Sequence, residues 1–144
     1  MAKSTLYFII IFTLAGCVGG IGFAKKEKII GNYYLIAGDI EEDMCISFHE
    51  EKDGSIYGTI INATVFAVGF NNKYIIAKQH PRIFPQPCDK NVTNYFILPI
   101  KKEMDWKTKN GLIGPLSIQQ FNQTKKELDI PDSVKFTMVI ESLK

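Results

Sequence analysis

TVFAVGFNNKYIIAKQHP, running from Thr64 to Pro81, is the stretch on which the fold turns. Two runs rich in branched and aromatic residues, Thr64 to Phe70 and Lys73 to Gln79, flank Asn71 and Asn72. Asparagine tolerates the positive φ that a two-residue type I′ turn needs, so the pattern predicts a β-hairpin closed at that pair. A turn there sets Val68 opposite Ile75, Ala67 opposite Ile76 and Tyr74 across from Gly69, where a ring covers the bare glycine. Both faces of these runs are apolar, which places the hairpin in the interior of a sheet.

Upstream, IIGNYYLIAG reads as a first strand, MCISFH alternates Met44, Ile46 and Phe48 against Cys45, Ser47 and His49 as a second, and IYGTII is a third. Asp53 and Gly54 supply a hairpin turn before the third. Downstream, TNYFILPI is a further strand ending near Pro99. A helix follows at SIQQFNQTKKEL. Ser117 as N-cap and Gln120 three residues later form a capping box, with Leu116 and Phe121 as a hydrophobic staple. Phe121, Thr124 and Leu128 give the helix a narrow stripe to lay on a sheet. In VKFTMVI, Val134, Phe136, Met138 and Ile140 alternate as a last strand. The fold class expected is therefore α+β: an antiparallel sheet of about six to seven strands, strongly twisted or partly closed, with one C-terminal helix packed on it.

The amino end has a different grammar. MAKSTLYFIIIFTLAGC carries Lys3, an apolar run from Leu6 to Leu14, then Ala15, Gly16 and Cys17, the order of an export signal. Its last four residues, LAGC, look like a lipobox, which makes residues 1–16 a lipoprotein signal peptide and Cys17 the lipidation site, thioether-linked to diacylglycerol and N-acylated, typically by palmitate. Each buried methylene of such a chain contributes about 0.8 kcal/mol, so two or three chains hold firmly where one holds weakly. Residues 17–28 then read as a lipid-anchored tether and 29–144 as one α+β domain. Leu6 to Ala24 is also long enough for a retained spanning helix, though four glycines weaken it.

With Cys17 lipidated, Cys45 and Cys88 remain as a disulfide candidate in an oxidising compartment. The same two thiols with His49 and His80 form the alternative, a metal site, which their spacing fits poorly, so no metal is expected. HPRIFPQPC, stiffened by Pro81, Pro85 and Pro87, is a surface loop whose His80, Arg82 and Phe84 form a candidate recognition patch.

Function classes narrow by composition. Net charge is +2 and Arg82 is the sole arginine, which argues against a nucleic-acid partner. There is no glycine-rich phosphate loop, no HExxH and no nucleophile elbow, so neither a cofactor nor a catalytic residue is expected. The acidic cluster Asp39, Glu41, Glu42 and Asp43 keeps a hydrolase open as an alternative.

The lipobox, ATVFAVGFNNKYIIAKQHP, TNYFILPI and IGPLS before a short helix together resemble a family of small bacterial lipoproteins carrying a domain of unknown function. That resemblance covers nearly all of the mature chain and implies a membrane of the cell envelope, exported face. It brings no catalytic residues. The reading is a membrane-tethered, non-catalytic binding module for an envelope protein or small ligand; an inhibitor or immunity protein at the membrane face is the alternative from another class.

Overall fold

In the computed structural model, which describes residues 25–50, 56–105 and 107–144, the strands form two antiparallel sheets rather than one. The first is a meander of β1 (Lys25–Ile30), β2 (Tyr33–Ala37), β3 (Cys45–Glu50) and β4 (Ile56–Ile61), paired in sequence order. The second contains β5 (Val65–Phe70), β6 (Tyr74–Gln79), β7 (Asn94–Pro99), β8 (Ile113–Leu116) and β9 (Met138–Val139), in the order β8-β7-β6-β5-β9. Helix α1 (Ile118–Glu127) follows β8. The molecule is mostly β, and neither sheet closes on itself.

The corner between the sheets lies at Asn62–Thr64. Here β4 leaves β3 and the chain enters β5, which pairs with β6 and β9. Alternation tells which side chains share a face; it does not tell whether two successive strands pair or turn a corner. Burial decided the matter, since Ile60, Ile61, Val65 and Val68 at the corner are all sequestered in one core with residues of both sheets.

That core fills the space between the sheets. Tyr33, Leu35, Ile46 and Phe48 enter it from the first sheet, and Ile75, Ala77, Phe96 and Leu98 from the second. A second cluster forms on the outer face of the second sheet, where Ile76 and Ile97 meet Phe121 of α1 and Ile130 and Val134 beyond it. Ile75 and Ala77 thus face one layer and Ile76 the other, the period of two that makes β6 apolar on both sides. Fully burying a side chain of this size is worth about 1.5–3 kcal/mol.

The helix forms as its sequence dictates. Ser117 Oγ accepts from the Gln120 N–H, and the Ser117 N–H donates to Gln120 Oε1 at 2.9 Å. At the other end, the N–H of Ile130 reaches the Lys125 carbonyl and that of Asp129 the Lys126 carbonyl, with Asp129 at φ 51°. This is the paired bond pattern that ends helices on a left-handed residue.

Five expectations about individual elements need correction. The first expected strand is two, because Gly31, at φ +56°, turns the chain between β1 and β2. Residues 25–28, assigned above to the tether, belong to β1; lysines and a glutamate suit an edge strand, where charge discourages further pairing. The β5–β6 turn falls one residue later than expected, at Asn72–Lys73, so that Phe70 faces Ile75 and Val68 faces Ala77. Asn71 Oδ1 accepts from the N–H groups of Lys73 and Tyr74, each at 2.8 Å, and neither turn residue has a positive φ. The side-chain turn at Asn71 displaced the type I′ turn. Finally, only Met138–Val139 of the expected last strand pairs, because Val134 belongs to the helix layer and Ile140 to the shared core. The segment crosses the edge of β5 from one layer to the other. Gly69 permits that crossing: a Cβ there would lie 2.1 Å from the Lys135 carbonyl oxygen. Backbone, and not the Tyr74 ring, covers this glycine.

The signal and lipidation residues, 1–17, and the Asp53–Gly54 turn lie outside the described residues.

Candidate functional site

One end of the molecule collects the side chains that the sequence singled out. The β2–β3 connection, the Asn62–Thr64 corner, the loop of residues 80–93 and the carboxyl end meet there. The bonds that join them are specific. Thr64 Oγ1 donates to the Glu42 carbonyl at 2.7 Å, and the N–H of Val65 to the Met44 carbonyl. Lys90 Nζ donates to the Ser142 carbonyl at 3.0 Å, and Ser142 Oγ bonds Glu41 Oε2.

Within the loop, the three expected recognition residues part company. His80 is buried, stacked on Phe66 at 4.2 Å, with Nδ1 2.7 Å from the Val92 carbonyl and Nε2 unpartnered; it is a core residue. Arg82 is a brace. Its guanidinium pairs with Asp43 and donates through Nε to the Gln86 carbonyl. Phe84, 5.9 Å from that guanidinium, and its neighbour Ile83 stand out from the surface, each 81% exposed. The structure therefore brings Arg82 and Phe84 together and withdraws His80. Ile83 was missed by sequence reading, although two adjacent large apolar residues between prolines were the available signal.

Beneath the loop is a cleft of about 330 Å³. Its apolar wall is Ile60, Ile61, Phe96 and Leu112, and its polar wall is Asn62, Gln79, Asn94, Arg82 and Lys109. The amides form a ladder: Asn94 Nδ2 donates to Gln79 Oε1 at 3.0 Å, and Gln79 Nε2 donates to the Ala63 carbonyl at 2.9 Å. Lys109 Nζ donates to Asn62 Oδ1 at 3.3 Å. Lys109 has φ 51°, a left-handed conformation that costs an ordinary residue about 1–2 kcal/mol. No carboxylate lines the cleft. The Lys109 ammonium and a fixed amide ladder beside an apolar wall suit a ligand with a carboxylate and an apolar body, while the Arg82 charge is already paired with Asp43. Sequence reading missed Asn62, Gln79, Asn94 and Lys109 as a set, because four separate segments supply them.

The remaining candidates are dispersed. Cys45 and Cys88 are free thiols here; Cys45 Sγ lies 3.4 Å from Ser47 Oγ, and Cys88 belongs to the loop. His49 stacks on Tyr57 at 4.5 Å, on the face of the first sheet turned away from the shared core. Among the described residues no three His, Cys, Asp or Glu side chains converge as metal ligands, so the set Cys45, His49, His80 and Cys88 is not assembled. In the acidic cluster Asp43 is engaged by Arg82 and Glu41 by Ser142. Among the described residues no helix is long and apolar enough to cross a membrane.

These features define a small two-sheet β domain with one helix laid on it, bearing a cleft and a braced apolar tip. Residues 30–141 match the family model described as a protein of unknown function (DUF3997), and the chain belongs to that family. Neither the comparison with curated proteins nor that with solved structures gave a match.

Proposed function

We propose that the protein is a lipid-anchored bacterial lipoprotein, held at the exported face of a cell membrane through Cys17, and that it acts as a non-catalytic binding module. The order of charge, apolar run and LAGC in residues 1–17 supports the anchor. The observation that carries the binding role is the cleft, where Lys109 and the Asn94–Gln79 ladder face an apolar wall and no carboxylate is among the lining residues. Its ligand is a small molecule with a carboxylate and an apolar body. Binding is favoured over hydrolysis because no carboxylate is among the residues lining the cleft, while Asp43 and Glu41 of the acidic cluster are bonded to Arg82 and Ser142 outside it.

Two measurements test this. Intact mass of the protein purified from membranes is expected to begin at Cys17 and to include diacylglycerol and an N-acyl chain. A chain that keeps residues 1–16 or carries a bare thiol at Cys17 overturns the anchor. For the cleft, N-acetylated amino acids and dipeptides are expected to raise the melting temperature. Lys109→Gly is expected to abolish that rise while the unliganded protein melts no lower, since glycine accepts the left-handed conformation. No rise with any of these probes overturns the ligand assignment.

A further inference from the structure

Exposed apolar side chains are not spread evenly over this molecule. Among the described residues, seven large hydrophobics are exposed, and four of them, Ile40, Ile83, Phe84 and Val92, belong to the end built from the β2–β3 connection and the loop of residues 80–93. Ile83 and Phe84 protrude furthest and are the best supported. Three prolines stiffen their loop, and the Arg82 ion pair to Asp43 fixes its base. A rigid pair of large apolar side chains held in water loses little conformational entropy when it is covered.

The start of β1 lies at the same end. Lys25 pairs with Ala37, the last residue of β2, and the connection that begins there carries Asp43, the partner of Arg82. Cys17 precedes Lys25 by eight residues, a span of at most roughly 26–29 Å when fully extended. A chain anchored at Cys17 therefore leaves the bilayer beside this end, from which β5 runs away toward the β5–β6 turn.

We infer that Ile83 and Phe84 form a second, non-covalent membrane contact, inserted into the bilayer that holds the Cys17 lipid. This rests on the anchor reading above. The contact is apolar. Lys25, Arg82, Lys90 and Lys144 are interspersed at this end with Asp39, Glu41, Asp43, Asp89 and Glu141, so attraction to anionic headgroups is not the device. Two side chains also make a small wedge, well suited to the acyl boundary and far short of the roughly 800 Å² per partner of a standard protein interface. Because Pro81 and Arg82 belong both to the loop and to the cleft lining, insertion sets the cleft beside the headgroups.

The test uses the mature protein in vesicles of phosphatidylethanolamine and phosphatidylglycerol with brominated acyl chains. Tryptophan is introduced as Phe84→Trp at the tip, or as Phe70→Trp beside the β5–β6 turn, and the wild-type emission is subtracted. Quenching at Phe84→Trp at least about threefold that at Phe70→Trp, unchanged in high salt, is the expected result. Equal or absent quenching at the two positions overturns the insertion, as does quenching that salt removes. A partner protein that protects Phe84→Trp from an aqueous quencher, with no bromine effect, overturns it too and assigns the tip to that protein. Intact mass of the same sample reads the anchor separately: an acylated chain with an unquenched tip removes the insertion and leaves the anchor, and a bare Cys17 with a quenched tip does the reverse.

Discussion

Both sheets are antiparallel, yet they differ in how many of their faces a hydrophobic cluster uses. In the second sheet both faces are committed: Ile75, Ala77, Phe96 and Leu98 enter the core between the sheets, while Ile76 and Ile97 enter the layer under α1. The first sheet gives one face to the shared core. Its other face carries Tyr34, His49 and Tyr57, half-buried against one another, with Lys26 Nζ 4.7 Å from the Tyr57 ring, beside the buried Ile36 and Ser47, and none of these joins either cluster. The same backbone geometry thus supports two chemistries. Strands β5 and β6, covered twice, read as continuous apolar runs, whereas β3 alternates Ile46 and Phe48 with Cys45, Ser47 and His49.

The contrast can be broken experimentally, and the largest effect belongs to the doubly covered sheet. Ile97→Ala removes a fully buried side chain from beneath the helix and is expected to cost about 3 kcal/mol in urea denaturation. A loss under about 1 kcal/mol would show that α1 does not seal that face. Gly69→Ala is expected to cost about 2 kcal/mol, since its methyl meets the Lys135 carbonyl and the crossing segment must shift. A neutral result would place that segment elsewhere.

The apolar core between the sheets also carries a polar tie. The Lys101 N–H donates to the Tyr33 hydroxyl at 3.1 Å, from a phenol otherwise buried in the core. Burial, which outweighs that bond, pushes the Tyr33 phenol above its ordinary value of 10.0. Because the raised value belongs to the folded state, the contribution is complete below pH 10 and is lost as pH rises through the folded value. Tyr33→Phe is expected to cost about 1 kcal/mol near neutrality. It is also expected to flatten the alkaline limb of stability against pH, and an unchanged limb would assign that limb to another group. The smallest effect belongs to the edge of the first sheet: Lys28→Ala, an exposed side chain 6.0 Å from the Tyr34 ring, is expected to stay within about 0.5 kcal/mol of wild type. A larger loss would mean that this edge is packed after all.

Much of the domain was legible because its signals are local. Alternation in CISFH, the doubly apolar runs around Asn71 and the Ser117–Gln120 capping box each depend on residues a few positions apart, and each forms the element expected. The end of the helix was legible only in place, not in kind, since a left-handed Asp129 has no strong sequence mark. Lys25–Lys28 escaped notice because strand propensity is low for lysine and glutamate, and pairing with β2 supplied what propensity did not. The cleft was illegible for a stronger reason. Lys109 meets Asn62 across 47 positions, and Arg82 meets Asp43 across 39, distances over which one sequence carries no pairing signal.

What the chain's order of residues determined alone was the strands from Cys45 to Gln79, the strand at Asn94–Pro99 and the capped helix after Ser117, together with the expectation of an export signal at the amino end. Tertiary structure decided that the strands divide into two sheets at Asn62–Thr64, that His80 turns inward while Ile83 and Phe84 stay out, and that a polar cleft opens beside them. The physical reason is range. Periodicity and capping act between near neighbours, whereas sheet partnership and site assembly depend on which distant surfaces exclude water together.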